Sequence, residues 1–334
     1  MRTLLTLFLL AVLAAGGWVA YQLYVPVAPP PDTSLLLRPG YSTRRIAMEL
    51  KKAGVIRSAL AFRVFHVVHP KLTLKAGEYR FERSDRMPQV YRRIARGDIY
   101  FHVVTIPEGY TMFDIAKAME DAKLGSAADF LKIFQSQTEM ISDLAPQAKS
   151  LEGYLFPNTY EFTRTQTRME MVTAMVHQFR LVAQQIGLAT TPDSDVNKDV
   201  NKVVTMASIV EKETAVPEER PLVASVYYNR LAQKVALDAD PSVIYAELLN
   251  GSYTGALHHA DLAVNSPYNT YRFPGLPPGP IGNPGKSALE AALHPETSEY
   301  LYFVADGNGH HRFARSLEEH NRNVVAYRHA LGLR

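Results

Sequence analysis

The first thirty residues contain the longest apolar stretch of the chain. Residues 3–31 carry no charged side chain, and residues 4–25 are long and apolar enough to cross a bilayer as one helix. Trp18, Tyr21 and Tyr24 lie towards the end of this stretch, where aromatic side chains favour the membrane interface. The pattern predicts a single-pass transmembrane anchor over residues 4–25.

The flanking residues complete this topology. Residues 1–3 would form a cytoplasmic tip, and the proline-rich residues 26–34 a stiff spacer that lifts the folded part off the membrane. A cleaved signal peptide with its apolar core at residues 4–15 is the alternative. Because no second stretch of this kind follows, we expect the rest of the chain to lie outside the cytoplasm.

Two segments, 35–50 and 104–119, share one pattern: an apolar run, a Gly-Tyr turn, a Ser or Thr that can begin a helix, and an Ile-Ala pair. Each copy predicts a strand, a tight turn and a capped amphipathic helix. The first copy continues into a helix over residues 58–68, a strand over 74–81 and a helix over 88–95. We therefore predict a small α/β unit over residues 35–100.

The remainder, residues 101–334, is predicted to be mainly helical with a small antiparallel sheet, which makes the fold class α+β. A polar surface loop is expected over residues 187–201. Helices are expected at residues 127–137, 168–186, 203–214, 218–232 and 241–249. A further helix should begin at Ser287, with Glu290 as its capping-box partner, and a hairpin should form around Asp306–Gly309. The last helix should begin at Ser316, with Glu319 as its capping-box partner.

Composition removes several classes of function. The net charge of +3 is too small to indicate nucleic-acid binding, and the absence of cysteine excludes thiolate metal sites and a cysteine nucleophile. The chain has no His-Glu-x-x-His, Gly-x-Ser-x-Gly or phosphate-loop motif. The adjacent histidine pairs, 258–259 and 310–311, lack the helical spacing of metal ligands. We expect no metal and no cofactor, which leaves carboxylates as the candidate catalysts.

The segment 207–220 holds the densest group of carboxylates. Glu211 follows Ala207 and Ser208 by one helical turn, so small neighbours leave room beside it, and apolar ones would raise its pKa. Glu213 points about 200° around the helix from Glu211, so the two would not share a proton. The alternative is a charged helix end with all of its glutamates in solvent.

Two further segments are candidates for substrate contact. Asn229 precedes the segment 237–245, in which Asp240 and the following proline also form a good helix start. The loop 266–285 is rich in proline and glycine and is long for a connector. Its tyrosines have flat faces on which sugars stack, and its neighbouring polar residues offer hydrogen bonds, although a rigid loop packed by its tyrosines explains the same pattern. The candidate loop residues are Tyr268, Asn269, Thr270 and Tyr271.

Taken together, these segments resemble the membrane-anchored endolytic murein transglycosylases, the YceG-like family. The similarity covers nearly all of the second region, and residues 35–100 resemble a LysM-like subdomain. The strings that carry it, in family order, are LEGYLFPNTY (151–160), ASIVEKET (207–214), the run 223–231, LDADPSVIY (237–245), YNTYRFPGLPPGPIGNPG (268–285), YLYFVADGNGHHRF (300–313) and His320–Asn321.

The resemblance implies a lyase of the inner membrane with its catalytic region, residues 101–334 with a core at 147–334, in the periplasm. It implies that Glu211 protonates the β-1,4 bond between N-acetylmuramic acid and N-acetylglucosamine and leaves a 1,6-anhydro end. Peptidoglycan strands are the implied substrate, and penicillin-binding synthases are possible partners. The expected substrate-binding residues are Ser208, Glu213, Asn229, Asp240, Tyr268, Asn269, Thr270 and Tyr271.

Three other functions remain open at this point. A muramidase-type hydrolase would add water instead of closing the anhydro ring, with Asp240 positioning that water. A non-catalytic peptidoglycan-binding scaffold would bind through the LysM-like unit and cut nothing. A metal-dependent amidase is the weakest alternative because the sequence lacks the ligand spacing.

Overall fold

The structure is a computed structural model that describes residues 2–188 and 199–332. The chain forms two compact units. The first consists of Met1–Val103 and Glu161–Thr167, and the second of Val104–Tyr160 and Arg168–Arg334. Helices dominate both units, and each sheet seen in the described residues has two strands, as the α+β prediction requires.

The first unit has its strands at the ends of a strand–helix–helix–strand sequence. Strands β1 and β2 pair antiparallel, with Leu35 opposite Tyr79. Leu50, Phe62 and Tyr91 are fully buried beneath them. The elements are α1 (Arg2–Tyr24), β1 (Thr33–Leu37), α2 (Thr43–Lys52), α3 (Ala59–Val68), β2 (Gly77–Phe81) and α4 (Met87–Arg96).

The proline-rich segment after α1, predicted to be a stiff spacer, contacts the first unit at its start. The Arg57 guanidinium donates hydrogen bonds to the carbonyl groups of Val25 and Pro26. Val27 and Asp85 exchange two backbone hydrogen bonds of 3.0 and 3.2 Å. The segment is therefore attached to the first unit, because its backbone groups find partners there instead of water.

The second unit contains the remaining helices and the strands β5 and β6, and strands β3 and β4 each have residues in both units. Strands β3 and β4 pair with each other, and β5 and β6 form an antiparallel hairpin. The elements are β3 (His102–Thr105), α5 (Met112–Asp121), α6 (Ala127–Ser136), β4 (Thr159–Phe162), α7 (Arg168–Gln185), α8 (Val200–Glu213), α9 (Arg220–Ala232), α10 (Asp240–Asn250), α11 (Lys286–Leu293), β5 (Tyr302–Ala305), β6 (His311–Ala314) and α12 (Leu317–Ala330).

Helix α8 is the central helix of the second unit. Every residue from Val203 to Val210 is buried, and the helix packs against α9 and α11. A helix that is apolar on all sides must be surrounded by protein. Its polar carboxyl end therefore emerges from the core carrying Glu211 and Glu213.

The predicted strand–turn–helix repeat is confirmed. Gly40 and Gly109 both have positive φ angles, of 83° and 76°, which glycine adopts without steric cost. Ser42 and Thr111 then cap α2 and α5 through their side-chain oxygens.

Two predicted helix starts are wrong. The N-cap of α11 is Gly285 and not Ser287. The N-cap of α10 is Ala239, and the Asp240 carboxylate accepts a hydrogen bond from the Tyr271 hydroxyl instead. The N-cap therefore lies one residue earlier than predicted in α10 and two residues earlier in α11, because a tertiary contact replaces the local cap.

The loop predicted over residues 187–201 falls largely on residues 189–198, which lie outside the described residues. The part that is described differs from the prediction at its end. Asp199 caps α8, whose first residue is Val200.

Candidate active site

A cavity of about 450 Å³ opens beside the carboxyl end of α8. Its walls come from α8, α9, α10, β5 and α12, elements that are distant in sequence. Polar side chains and aromatic rings both contribute to the lining, and a pocket that combines ring faces with a few polar groups can bind a small ligand or a sugar. The polar residues are Glu213, Tyr227, Arg230, Asp238, Asp240, Tyr271 and His320, and the apolar ones are Leu237, Leu301, Tyr302, Phe303 and Leu317.

Glu213 is the last residue of α8 and lines this cavity. The Tyr227 hydroxyl donates a hydrogen bond of 2.7 Å to Glu213 Oε1. Burial is the main cause that raises the pKa of Glu213 to about 7; Asp240 acts in the same direction, and the Tyr227 hydrogen bond opposes it. A carboxyl group with this pKa can carry a proton near neutral pH and release it, as a general acid must.

Arg230 and His320 line the cavity and both contact the ring of Tyr302. The Arg230 guanidinium stands 5.4 Å from the Tyr302 ring centre, and the His320 ring stacks on Tyr302 at 5.2 Å. Within the described part of the chain, Arg230 Nε and His320 Nδ1 are buried without a hydrogen-bond partner. Both side chains line the cavity, so their polar ends are suited to bind a ligand group.

Glu211 lies in a different environment. Its side chain is only 5% exposed, and Oε1 accepts a bond of 2.7 Å from Arg220. Oε2 accepts the Gly285 backbone N–H at 2.9 Å. Burial raises the pKa of Glu211, whereas the Gly285 amide and the Arg220 guanidinium oppose the rise. Both carboxylate oxygens are thus occupied by protein donors, and Glu211 is not among the residues that line the cavity.

Glu108 completes a cluster around Arg220. Its carboxylate lies 3.6 Å from Arg220 Nη1, whereas Glu211 bonds to Nη2 at 2.7 Å. A Cβ atom added at Gly285 would lie 1.9 Å from Glu108 Oε1, so only glycine permits this approach. The cluster ties the end of α8 to the turn before α5 and to the start of α11.

Ser208 and Asn229, both expected to contact substrate, are engaged inside the protein. The Ser208 hydroxyl donates to the Thr205 carbonyl and accepts the Ile281 N–H. The Asn229 amide donates to two carbonyl groups that precede β5, at 2.9 and 3.0 Å. Because these hydrogen bonds already satisfy the two side chains, we assign them a structural role.

The loop predicted to bind substrate divides into two parts. Asn269 and Thr270 are buried, and their side chains fix the loop backbone and the start of α10. Tyr268 packs its ring against Tyr245, at 5.1 Å between centres. Tyr271 instead lines the cavity, where its hydroxyl donates to Asp240 at 2.6 Å. The structure thus brings Glu213, Asp240 and Tyr271 together and leaves the other five expected substrate contacts outside.

Sequence reasoning missed the far wall of the cavity. Tyr302 and His320 belong to strings that carried the family resemblance, yet nothing in their local pattern indicated a site. They follow Glu213 by more than eighty residues, and only the packing of β5 and α12 brings them to it. For Tyr227 and Arg230 the sequence did contain a local indication. The two residues are three positions apart in a helix, so they lie on the same face and would line the same cavity.

Known proteins share this architecture. The chain matches the YceG-like family over residues 35–326. It is 34% identical over 307 residues to an endolytic murein transglycosylase of Bacillus subtilis, covering 86% of this chain and 82% of that protein. A Streptococcus pneumoniae protein of the same name is 31% identical over 355 residues, and the match spans 96% of this chain and 64% of that longer protein.

A solved structure agrees with the sequence relatives. The crystal structure of a putative YceG-like protein from Listeria monocytogenes superimposes with a TM-score of 0.59 at 35% identity, over 86% of this chain and 97% of that one. The fold, the order of the strings and the extent of the match all agree. The chain therefore belongs to the YceG-like family.

Proposed function

We propose that this chain is an endolytic murein transglycosylase that cuts glycan strands with Glu213 as its acid and base. The observation that carries the assignment of this residue is the placement of the Glu213 carboxyl group in the cavity with a pKa of about 7. The relatives named endolytic murein transglycosylase support the choice of substrate. The enzyme acts as a lyase on peptidoglycan.

The proposed reaction uses one carboxyl group twice. Protonated Glu213 gives its proton to the oxygen of the β-1,4 bond, the bond from that oxygen to C1 of N-acetylmuramic acid breaks, and N-acetylglucosamine leaves with a free hydroxyl. The Glu213 carboxylate then takes the proton of the muramic acid C6 hydroxyl while that oxygen bonds to C1. The product carries a 1,6-anhydro end, and the acid is regenerated without water.

Glu213 is a better candidate for this role than Glu211, the residue expected from the sequence. A general acid must reach the glycosidic oxygen within hydrogen-bond distance. Glu211 would first have to give up its 2.7 Å bond to Arg220 and its 2.9 Å bond to Gly285. Among the described residues, Glu213 accepts a hydrogen bond from the Tyr227 hydroxyl, and it lines the cavity.

The remaining cavity groups are proposed to hold the sugar. Tyr271 offers a ring face, and the side chains of Arg230 and His320, which pack against Tyr302, offer polar groups at the cavity wall. We further propose that residues 35–100 form a LysM-like subdomain that binds the strand. The strand–helix–helix–strand order of this segment supports the assignment.

A muramidase-type hydrolase is the second candidate, because Asp240 lines the same cavity and could hold a water molecule. Mass spectrometry of products from purified glycan strands separates the two. We expect anhydro ends, with the same yield in the presence of a chelator. Reducing muramic acid ends as the only product would support the hydrolase, and binding without any product would support a non-catalytic scaffold.

We also propose that α1 anchors the chain in the inner membrane with both folded units in the periplasm. Residues Thr3–Tyr24 are long and apolar enough to span a bilayer, and an apolar window of 18 residues within them has no buried residue. An enzyme held there would act beside the penicillin-binding synthases that extend the strands. Sequencing the amino terminus of the membrane-extracted protein tests the anchor. A mature chain that begins between Gly16 and Tyr21 would indicate a removed signal peptide instead.

A further inference from the structure

Helix α3 of the first unit is apolar on both of its sides. One side packs inward, where Phe62 is fully buried, its ring 5.4 Å from Tyr91, and His66 Nδ1 lies 2.7 Å from the Tyr91 hydroxyl. The opposite side carries aliphatic residues at the spacing i, i+4, i+7, i+8, which forms one stripe along a helix. Their exposures are 58% for Leu60, 51% for Val64, 74% for Val67 and 65% for Val68.

Such a stripe is unusual for a surface in water. The outer face of a helix in a soluble unit is normally polar, and a contiguous exposed apolar patch indicates a binding surface. Helix propensity does not explain the stripe, because three of its four residues are β-branched valines, which are mediocre helix formers. We therefore expect the stripe to be buried against another surface.

The contacts of α3 and of the residues before it indicate which surface this is. Arg57, two residues before α3, stacks on the ring of Tyr21 at 5.0 Å and donates hydrogen bonds to the Val25 and Pro26 carbonyl groups. Leu23 packs against the core of the first unit, and α3 itself contacts α1. Helix α3 thus begins at the end of α1, next to the aromatic residues that would mark the membrane interface.

The positive charge around α3 also indicates that the membrane surface covers the stripe. Residues 50–77, which contain α3, include six lysines and arginines and no aspartate or glutamate. Arg63 borders the stripe, where its long side chain can reach outward while its stem stays on apolar surface. Clusters of basic residues beside a membrane helix are attracted to anionic lipid headgroups.

We infer that α3 is an interfacial helix whose stripe Leu60–Val64–Val67–Val68 lies in the headgroup region of the bilayer that α1 crosses. This inference rests on the proposed anchor. It fixes the first unit to the membrane surface at two places, so the unit lies flat on the bilayer and cannot rotate freely about α1.

The absence of cysteine from the chain makes a direct test possible. The full-length Val67→Cys protein is labelled with an environment-sensitive fluorophore and reconstituted into bilayers of phosphatidylcholine and phosphatidylglycerol that contain spin-labelled quencher lipids. The emission should shift to shorter wavelength. Quenching should be strongest with spin labels about 5–10 Å below the headgroup boundary, the depth of interfacial helices.

Two matched variants keep the outcomes distinct. Leu10→Cys, in the middle of α1, reports the anchor, and Val325→Cys, an exposed valine on α12 of the second unit, should show no quenching. Quenching at Leu10 but not at Val67 overturns the inference and leaves the anchor standing. No quenching at either position overturns both. A shift at Val67 that depends on protein concentration and not on quencher lipids identifies a second copy of the chain as the cover, which also overturns the inference.

Discussion

The environment of Glu213 differs from that of Glu211 although the two side chains leave the same helix turn. Glu213 faces an open volume and Glu211 faces an arginine. Burial raises the pKa of both, yet only Glu213 has space before it for a substrate. One carboxylate is therefore available for proton transfer, and the other stabilises the end of the helix.

The proposed role of Glu213 predicts how the reaction rate depends on pH. If the protonated form is the active one, kcat/KM should fall as pH rises above about 7, the value to which burial raises this pKa. Tyr227→Phe removes a hydrogen bond that lowers the pKa, so the alkaline limb should move to higher pH. The control is Tyr228→Phe, whose hydroxyl donates to the Ala292 carbonyl. An alkaline limb that moves equally in both variants, or in neither, would contradict the role of Tyr227.

Arg220 tests the structural role of Glu211. Arg220→Met should lower the free energy of unfolding by about 3–5 kcal/mol, because it leaves a buried carboxylate without its partner. Replacing both partners, with Glu211→Leu and Arg220→Met together, should recover much of this loss. Urea unfolding of the two single variants and the double variant measures the coupling. If the loss of unfolding free energy in the double variant equals the sum of the losses in the two single variants, the 2.7 Å ion pair does not stabilise the end of α8.

At the scale of elements, the sequence correctly predicted the features that depend on neighbouring residues alone. The Ser42 and Thr111 caps, the glycine turns before them and the β5–β6 hairpin all appear where the pattern placed them. The starts of α10 and α11 were missed because Asp240 is held by Tyr271 and the Gly285 amide is held by Glu211. These contacts cross long distances in sequence, and so does the wall that Tyr302 and His320 add to the cavity.

A buried carboxyl group joins three segments of the second unit. Glu152 accepts the Met112 N–H at the start of α5 at 2.9 Å and a hydrogen bond of 2.8 Å from the Asn283 amide. Burial is the main cause that raises its pKa to about 7 from an ordinary value of 4.5. Between these two pH values the folded protein holds a proton that the unfolded chain has lost. This group's contribution to stability is therefore complete below pH 4.5 and is lost as pH rises through 7.

Glu152→Gln should remove that pH dependence. The difference in Tm between the variant and the wild-type protein should move in favour of the variant from pH 5 to pH 8. Thermal unfolding over this range measures the effect, with the exposed Glu139→Gln as control. Parallel curves for wild-type and Glu152→Gln proteins would mean that the residue does not titrate in the folded state as argued.

At the scale of the whole molecule, helix α1, the proposed anchor, also belongs to a folded unit. Tyr21 and Leu23 contact the first unit, and the carbonyl groups of Val25 and Pro26 bind Arg57. A chain that begins at Asp32 loses all of these contacts, whereas one that begins at Tyr21 keeps them. The anchor and the unit that follows it are thus linked in stability.

Comparison of these two shortened chains tests the link. The chain that starts at Asp32 should unfold at the lower temperature. Both should cut soluble strands at similar rates, because every residue that lines the cavity follows Val104. Equal Tm values would show that the contacts of α1 contribute nothing, and loss of cutting in both would show that the missing segment takes part in catalysis.

The central claim is that Glu213, and not Glu211, transfers the proton. The most direct measurement is the rate of anhydro-product release from purified glycan strands by Glu213→Gln and Glu211→Gln proteins of verified fold. Glutamine keeps the shape and removes the proton, so Glu213→Gln should lose about 10²- to 10⁴-fold in rate, or more because the same group is also the base. Glu211→Gln should continue to cut. An inactive Glu211→Gln protein beside an active Glu213→Gln protein would contradict the account.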